Sequence, residues 1–129
     1  GVPVAVLTGD GETLMGMGGF ATIALQAPRN LSIIVLDNGL YGETGSQISH
    51  TSEVTDLAGV AAACGIKDIA AIRDKAGVEL LAKRINVVRD GPLVAVVKIS
   101  GEEKERHLPS RDGVFLKTRL RVELGFASM

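Results

Sequence analysis

The chain has 129 residues with 46% hydrophobic residues, a formal net charge of −1 and a single cysteine. This length and composition predict one globular domain, residues 1–129, and the near-zero charge argues against general binding to nucleic acid or to membrane surfaces. The apolar run at residues 2–7 is too short to cross a bilayer, and the lone Cys64 cannot form an internal disulfide, so we expect a cytoplasmic protein.

Apolar strand-like segments alternate with helical patterns along the chain. We predict strands at 3–8, 31–37, 68–72 and 92–100, helices at 13–26, 54–64, 75–88 and 112–124, and a loop at 38–52. In the first helix, Leu14, Met15, Met17 and Phe20 are expected to pack in the core. The alternation predicts an α/β fold, a doubly wound, mainly parallel sheet with helices on both faces.

The second predicted helix carries signals at both ends. Thr51, Ser52 and Glu53 supply residues typical of a helix N-terminus, and Gly65 is typical of a C-terminal cap. Cys64 lies next to Gly65, and we expect it to pack there as a small apolar side chain.

Glycine-rich polar segments follow the first two predicted strands. Gly9-Asp10-Gly11 comes directly after the first strand, and Asn38-Gly39-Leu40-Tyr41-Gly42 comes after the second. Because ligands bind beyond the carboxyl ends of parallel strands, Asp10 and Asn38 are expected side by side in one crevice. Carboxylate, amide and carbonyl oxygens suit Mg²⁺ beside phosphate oxygens, and the glycines allow a diphosphate to approach the backbone closely.

Gly9-Asp10-Gly11, then 26 residues, then Asn38 resembles the diphosphate-binding motif of thiamine diphosphate enzymes. The runs 38–47 and 108–117 are similar to the sulfopyruvate and phosphonopyruvate decarboxylase branch of that family. The resemblance implies that Mg²⁺ takes side-chain oxygens from Asp10 and Asn38 and the backbone carbonyl of Leu40. It implies that thiamine diphosphate is bound by Gly9, Asp10, Gly11, Glu12, Thr13, Asn38, Leu40, Tyr41 and Gly42.

The resemblance also implies an activity, the decarboxylation of a 2-oxoacid. Sulfopyruvate, phosphonopyruvate and simpler 2-oxoacids all stay open as substrates, and the catalytic residues are unassigned. A carboligase of the acetolactate-synthase type and a non-catalytic cofactor-binding or assembly subunit are the alternatives. The family uses a glutamate from a separate pyrimidine-binding domain, so we expect a partner domain or subunit, a homo- or hetero-oligomer, and no turnover by this chain alone. We also expect this chain to be the C-terminal part of a longer polypeptide or one subunit of a complex.

A competing motif lies in the first predicted helix. Residues 16–21 match the G-x-G-x-x-A pattern of dinucleotide-binding folds, but seven residues separate Thr8 from Gly16, whereas the fingerprint opens directly after the strand. NAD binding is therefore disfavoured, and these glycines are expected to allow close packing of the helix on the sheet.

Individual side chains near the motif leave alternatives open. Glu12 would repel a diphosphate, so we expect it to point away or to accept bonds from neighbouring N–H groups, as an acid in a first helical turn does. Tyr41 either lines the pocket or only packs. The loop 42–52 is long enough to act as a lid, and His50 within it is expected to be solvated rather than to contact substrate.

The C-terminal tail is basic. Between residues 104 and 121, six cations stand against two acids, Glu105 and Asp112, for a net charge of +4. Arginine suits a sulfonate or phosphonate, but such a run is usually a solvated face. The cations are Lys104, Arg106, Arg111, Lys117, Arg119 and Arg121.

Overall fold

The computed structural model describes residues 2–102, 105 and 107–126. In chain order the elements are β1 (Val4–Gly9), α1 (Asp10–Gly16), α2 (Gly19–Gln26), β2 (Leu31–Asp37), β3 (Leu40–Tyr41), β4 (Gln47–Ile48), α3 (Leu57–Ala63), β5 (Asp68–Ile72), α4 (Lys75–Arg84), β6 (Leu93–Lys98) and α5 (Gly113–Glu123).

Four of the strands form one parallel sheet in the order β1-β2-β6-β5. The register places Thr8 opposite Val35 and Asp37 opposite Lys98, so the carboxyl ends of β1, β2 and β6 lie at the same edge. The predicted α/β class with a mainly parallel sheet is confirmed.

Helices cover both faces of this sheet. One core cluster packs under α2 and α3, and its buried members are Phe20, Ile33, Val35, Leu57, Ala61, Ile66, Val94 and Val96. The other lies under α4 and contains Ile34, Ile72, Leu81, Leu93, Ala95 and Val97. Successive residues of a strand point to opposite faces, which is why the two central strands are mostly apolar on both faces, with Asp37 and Lys98 only at their carboxyl ends. Burying each Leu or Val of this kind contributes about 1.5–3 kcal/mol.

The predicted helix at 13–26 is wrong in its continuity and in its start. The structure has two helices, because the chain breaks at Met17 and Gly18, and the first begins at Asp10. At the break, the N–H of Phe20 donates to the Met17 carbonyl at 3.0 Å, a tighter turn than an α-helix makes. Glycine is about 1 kcal/mol worse than alanine in a helix interior, and three glycines at 16, 18 and 19 are enough to interrupt it.

Two further expectations for this region are corrected. Phe20 is buried and Leu14 packs against the core, but Met15 and Met17 are 83% and 41% exposed. A Cβ added at Gly16, Gly18 or Gly19 would have no neighbour within 4 Å, so these glycines do not permit close helix–sheet packing. Because the chain breaks between the two helices, one continuous helical period does not predict which side chains of this stretch are buried.

The predicted cap at 51–53 is also wrong. The helix α3 begins at Leu57, where the Asp56 side chain accepts a hydrogen bond from the Ala58 N–H at 3.0 Å. Gly65 follows the helix with φ of +99°, as predicted for its C-terminal cap, and Cys64 next to it is partly buried. The residues 51–53 are used elsewhere, in the loop described below.

The segment 38–52, predicted as a loop, contains short regular elements. Strands β3 and β4 pair antiparallel, with Leu40 opposite Ile48 and Tyr41 opposite Gln47. A short 3₁₀ turn at Gly42–Thr44 lies in the loop between the two strands, and another at His50–Ser52 follows the hairpin. The hairpin returns the chain to the strand edge, so residues 49–52 lie beside residues 37–39.

The last helix, α5, has no buried residue. Asp112 caps it by accepting from the N–H groups of Val114 and Phe115, each at 3.0 Å. Of the predicted tail cations, Lys104 and Arg106 lie outside the described residues, while Arg111, Lys117 and Arg119 are exposed and Arg121 lies over the Phe126 ring. Across the described ranges, no helix is both long and apolar enough to cross a membrane.

Candidate functional site

A cavity of about 390 Å³ opens at the carboxyl edge of β1 and β2. The turn after β1 forms one wall, and the segment after β2 forms the other. Its lining residues are Gly9, Asp10, Gly11, Glu12, Met15, Leu36, Asn38, Leu40, Tyr41, Gly42, Glu43, Thr44 and Ile99. The structure therefore brings together all the predicted binding residues except Thr13, whose hydroxyl donates to the Gly9 carbonyl at 2.8 Å.

Asp10 is the buried acid of this cavity, with 2% of its surface exposed. Its Oδ2 accepts hydrogen bonds from the hydroxyls of Ser49 and Thr51, the second at 2.9 Å. No described residue donates a hydrogen bond to its Oδ1. One oxygen of the carboxylate is thus fully engaged by the protein, and the other is left for a ligand.

A second buried carboxylate, Asp37, lies close by and is neutralised. Its Oδ2 is 2.6 Å from the Lys98 ammonium, its Oδ1 accepts from the Gly39 N–H at 3.1 Å, and the same Oδ1 lies 2.9 Å from the Thr51 hydroxyl. Within the described ranges, no Lys, Arg or His nitrogen lies within 4.0 Å of the Asp10 carboxylate. Removing an unpaired charge from water costs several kcal/mol. Of the two aspartates, Asp10 is therefore the one whose carboxylate a bound cation would stabilise.

The segment after β2 is shaped by two short-range contacts. Asn38 Oδ1 accepts from the Leu40 N–H at 3.0 Å, which turns the chain back over the strand end. Gly39 adopts φ of +70°, and a Cβ there would strike the Ser52 hydroxyl. Glycine fits both conditions, because the left-handed backbone disfavours a side chain and the contact with Ser52 leaves no room for one. The Asn38 side chain and the Leu40 backbone are held at the cavity as a result.

Tyr41 closes another side of the cavity. Its ring lies against Gly11, where an added Cβ would come within 2.8 Å of Cδ1, and its hydroxyl is 2.9 Å from His50 Nδ1. Tyr41 therefore both lines the pocket and packs. His50 is exposed, as expected, but it is tied to Tyr41.

Glu12 turns back onto the start of the helix. Its carboxylate accepts from the Gly9 N–H at 3.1 Å and from the Thr8 hydroxyl at 3.0 Å. The Gly9 N–H and then the Thr8 hydroxyl lower the pKa of Glu12 below its ordinary value. This confirms the expectation that Glu12 accepts bonds from neighbouring N–H groups, and it keeps one oxygen of the acid occupied beside the cavity.

The donor set at the cavity suits a hard divalent cation. Asp10 offers a carboxylate oxygen, Asn38 an amide oxygen and Leu40 a carbonyl, all of which are ligands that Mg²⁺ prefers. In the described residues no group of three or more His, Cys, Asp or Glu side chains could hold a metal. A site with so few protein ligands fits Mg²⁺, which keeps waters and takes phosphate oxygens from its substrate. The residues present therefore fit Mg²⁺ bound together with a diphosphate.

Sequence reasoning missed four residues that build this site: Asp37, Ser49, Thr51 and Lys98. Nothing in the order of the chain marks Ser49 and Thr51, because hydroxyl residues are common in surface loops and their partner lies 39 and 41 positions away. Asp37 ends the predicted strand 31–37 and Lys98 lies near the end of the predicted strand 92–100, and that placement is the one signal that could have paired them.

Comparison with known proteins identifies the family. Residues 1–99 match the family described as "Thiamine pyrophosphate enzyme, C-terminal TPP binding domain". The chain belongs to this family. The match covers the whole sheet of this thiamine pyrophosphate-binding domain and both walls of its cavity, and it ends before the tail and α5.

Several curated relatives are similar to this thiamine pyrophosphate-binding domain. A sulfopyruvate decarboxylase of Methanosarcina acetivorans is 37% identical over 106 residues, covering 82% of this chain and 27% of the relative. A sulfopyruvate decarboxylase subunit beta of Methanothermobacter thermautotrophicus is 42% identical over 96 residues, covering 74% and 48%. A phosphonopyruvate decarboxylase of Streptomyces hygroscopicus is 49% identical over 67 residues, covering 52% and 16%. The match thus spans between about a sixth and about half of these relatives' length.

Proposed function

We propose that this domain holds Mg²⁺ and the diphosphate of thiamine diphosphate, within an enzyme that decarboxylates a 2-oxoacid of the sulfopyruvate or phosphonopyruvate type. The observation that carries the proposal is Asp10, a buried carboxylate without a cationic partner in the described part of the chain, which lines a cavity together with Asn38. The names of the relatives support the substrate class, since both kinds of decarboxylase act on 2-oxoacids with a second anionic group.

In this proposal the residues of the cavity bind and orient. Asp10, Asn38 and the Leu40 carbonyl hold the cation, which neutralises the diphosphate, and the Gly9–Gly11 turn lets the phosphates approach the backbone. When bound, thiamine diphosphate supplies the nucleophilic carbon and the electron sink that loss of CO₂ requires. Tyr41, tied to His50, excludes water from one side of the pocket.

We also propose that a pyrimidine-binding domain or subunit completes the active site. Three of the similar proteins are named as beta subunits of sulfopyruvate decarboxylase, which supports an assembly of more than one kind of chain. The catalytic groups are then shared across that interface, in a homo- or hetero-oligomer. A cytoplasmic location, expected from the single cysteine, stays a prediction.

The first test is a calorimetric titration of thiamine diphosphate, with and without Mg²⁺, on the complete native enzyme. We expect binding that depends on Mg²⁺. Asp10→Ala should weaken it by more than the about 100-fold that loss of an outer-shell partner produces, because a direct ligand is lost. Asp10→Asn keeps the shape of the side chain and should lose most of the metal affinity as well.

Asp90→Ala is the matched control, since Asp90 is fully exposed at the opposite edge of the sheet and, within the part of the chain that the structure describes, forms an ion pair only with the exposed Arg29. It should bind cofactor as the unmodified enzyme does. Normal binding by both Asp10 variants would remove the metal assignment, and absence of cofactor binding by the unmodified enzyme would remove the proposed function itself. Products of carboligation in place of an aldehyde would replace decarboxylation with the carboligase alternative.

A further inference from the structure

The segment 49–52 follows the β3–β4 hairpin, and the hydroxyls of its residues Ser49 and Thr51 both contact the Asp10 carboxylate. We propose that these two hydroxyls are positioning residues for the cation: they fix the Asp10 carboxylate so that Oδ1 points its lone pairs at the metal. This inference rests on the proposed metal role of Asp10. It assigns a function to two residues that no motif contains.

Burial is the first support. Ser49 and Thr51 are 1% and 8% exposed, and the carboxylate they contact is 2% exposed. A buried hydroxyl must find a partner, and an ionised carboxylate accepts hydrogen bonds and donates none. Both hydroxyls contact the same oxygen, Oδ2, and contact each other at 2.8 Å. The side chain of Asp10 is therefore held from one side only.

The hydrogen-bond donors available to Asp10 and to Asp37 indicate which of the two carboxylates needs the hydroxyls. The Thr51 hydroxyl is 2.9 Å from both Asp10 Oδ2 and Asp37 Oδ1, but it has a single proton to donate. Asp37 already accepts from the Lys98 ammonium at 2.6 Å and from the Gly39 N–H at 3.1 Å. Asp37 is thus satisfied without Thr51, whereas Asp10 has no donors among the described residues besides Ser49 and Thr51.

The charges of the cluster formed by Asp10, Asp37 and Lys98 also support this role. The carboxylates of Asp10 and Asp37 and the ammonium of Lys98 sum to one net negative charge, which belongs to Asp10. Hydrogen bonds from hydroxyls orient that charge without neutralising it, so the cluster stays attractive to a cation. Outer-shell partners of this kind change metal affinity by about 10–100-fold.

The same segment also holds the other predicted ligands. The Gly39 carbonyl accepts from the Ser49 N–H at 2.8 Å and from the Ser52 hydroxyl at 2.6 Å. Gly39 lies between Asn38 and Leu40, so residues 49–52 fix the backbone that presents both of them. All three predicted metal ligands are thus positioned from one short segment.

The test is the Mg²⁺ dissociation constant of the complete native enzyme, measured by calorimetry at saturating thiamine diphosphate. Thr51→Val removes the hydroxyl at nearly constant volume and should raise the constant about 10–100-fold, and Ser49→Ala should act in the same direction. Thr51→Ser keeps the hydroxyl and should restore an affinity close to that of the unmodified enzyme. Thr22→Val, on an exposed face of α2, is the matched control and should change nothing.

A purely structural role would have a different signature. In that case the variants would lower the melting temperature of the metal-free enzyme while leaving the Mg²⁺ constant unchanged, and the inference would be overturned. If Thr51→Val does not fold, Ser49→Ala decides by the same measurement. Failure of the unmodified enzyme to bind Mg²⁺ with thiamine diphosphate would overturn the proposed function and this inference together, whereas equal binding by all variants would overturn the inference alone.

Discussion

Two aspartates at this site show how the surroundings of one residue type set its role. Asp10 and Asp37 are both 2% exposed and share a hydrogen-bonding neighbour, Thr51. Lys98 forms an ion pair with Asp37 and not with Asp10. Asp37 therefore has a structural role, whereas Asp10 is a candidate metal ligand. The difference comes from the neighbouring strand, because β6 places Lys98 opposite Asp37 in the register.

Gly11→Ala tests whether the contact between Gly11 and the Tyr41 ring shapes the cavity. The added Cβ would come within 2.8 and 2.9 Å of two carbons of the Tyr41 ring, so we expect the ring to move. This movement should lengthen the hydrogen bond between the Tyr41 hydroxyl and His50 Nδ1. Overpacking of this kind costs about 1–3 kcal/mol, and we expect weaker binding of Mg²⁺–thiamine diphosphate together with a lower melting temperature.

Gly16→Ala is the matched control, since it lies in the same helix and its added Cβ has no neighbour within 4 Å. It should leave cofactor affinity unchanged. If both variants bound equally well in the calorimeter, the Tyr41 wall would have no part in cofactor binding.

At the level of elements, the break between α1 and α2 is a local property of the chain with a tertiary consequence. Three glycines in four positions weaken the helix, and Met15, two residues before the break, is 83% exposed and lines the cavity. Helical periodicity predicted a buried Met15, because that reading assumed one continuous helix through residues 13–26. The helix α1 has only seven residues, which is too few for the helical period to predict which of its side chains are buried.

Gly19→Ala tests this account of the break. Gly19 is the first residue of α2, and its added Cβ would meet nothing within 4 Å. Alanine restricts the unfolded chain more than glycine does, so we expect a gain of about 0.4–1 kcal/mol in the free energy of unfolding, measured with denaturant. Gly39→Ala should have the opposite sign, because φ is +70° there and the Ser52 side chain fills the space. A loss of stability in Gly19→Ala would show that the glycine has a role the contacts do not reveal.

For the whole molecule, the exposed apolar surface is the feature that bears on assembly. On β1, Val4 and Leu7 are 46% and 68% exposed, and on α5, Phe115 and Leu120 are 51% and 60% exposed. Large exposed apolar areas are typical of interaction surfaces. These exposed apolar side chains support the proposal that this domain packs against a second domain or subunit.

Reconstitution tests that proposal. We expect no CO₂ release from sulfopyruvate or phosphonopyruvate by the isolated chain, because in this proposal a pyrimidine-binding domain or subunit supplies the remaining catalytic groups. Addition of a pyrimidine-binding partner should restore turnover, and Asp10→Ala in the same mixture should abolish it. Turnover by the isolated chain would contradict the need for a partner.

Some of this protein follows from local sequence alone, since the properties concerned depend on a few neighbouring residues. The apolar strands, the α/β order and the polar segments that follow the first two strands were predictable, because strand burial and turn chemistry are short-range. Gly9-Asp10-Gly11 was predicted as a turn, but Gly9 ends β1 and Asp10 begins α1. Even the orientation of Glu12 followed, as its partners Gly9 and Thr8 lie three and four residues away.

The pairing of Asp10 with Ser49 and Thr51, and of Asp37 with Lys98, arises only when the chain is folded. These contacts join residues far apart in sequence, through the hairpin of β3 and β4 and through the register between β2 and β6. Their existence depends on long-range packing, and no local pattern encodes which hydroxyl or ammonium will reach which carboxylate. The place of Asp10 at the strand edge was therefore predicted from the sequence, but the part that Asp37 plays beside it, and the unequal neutralisation of the two acids, were set by the fold.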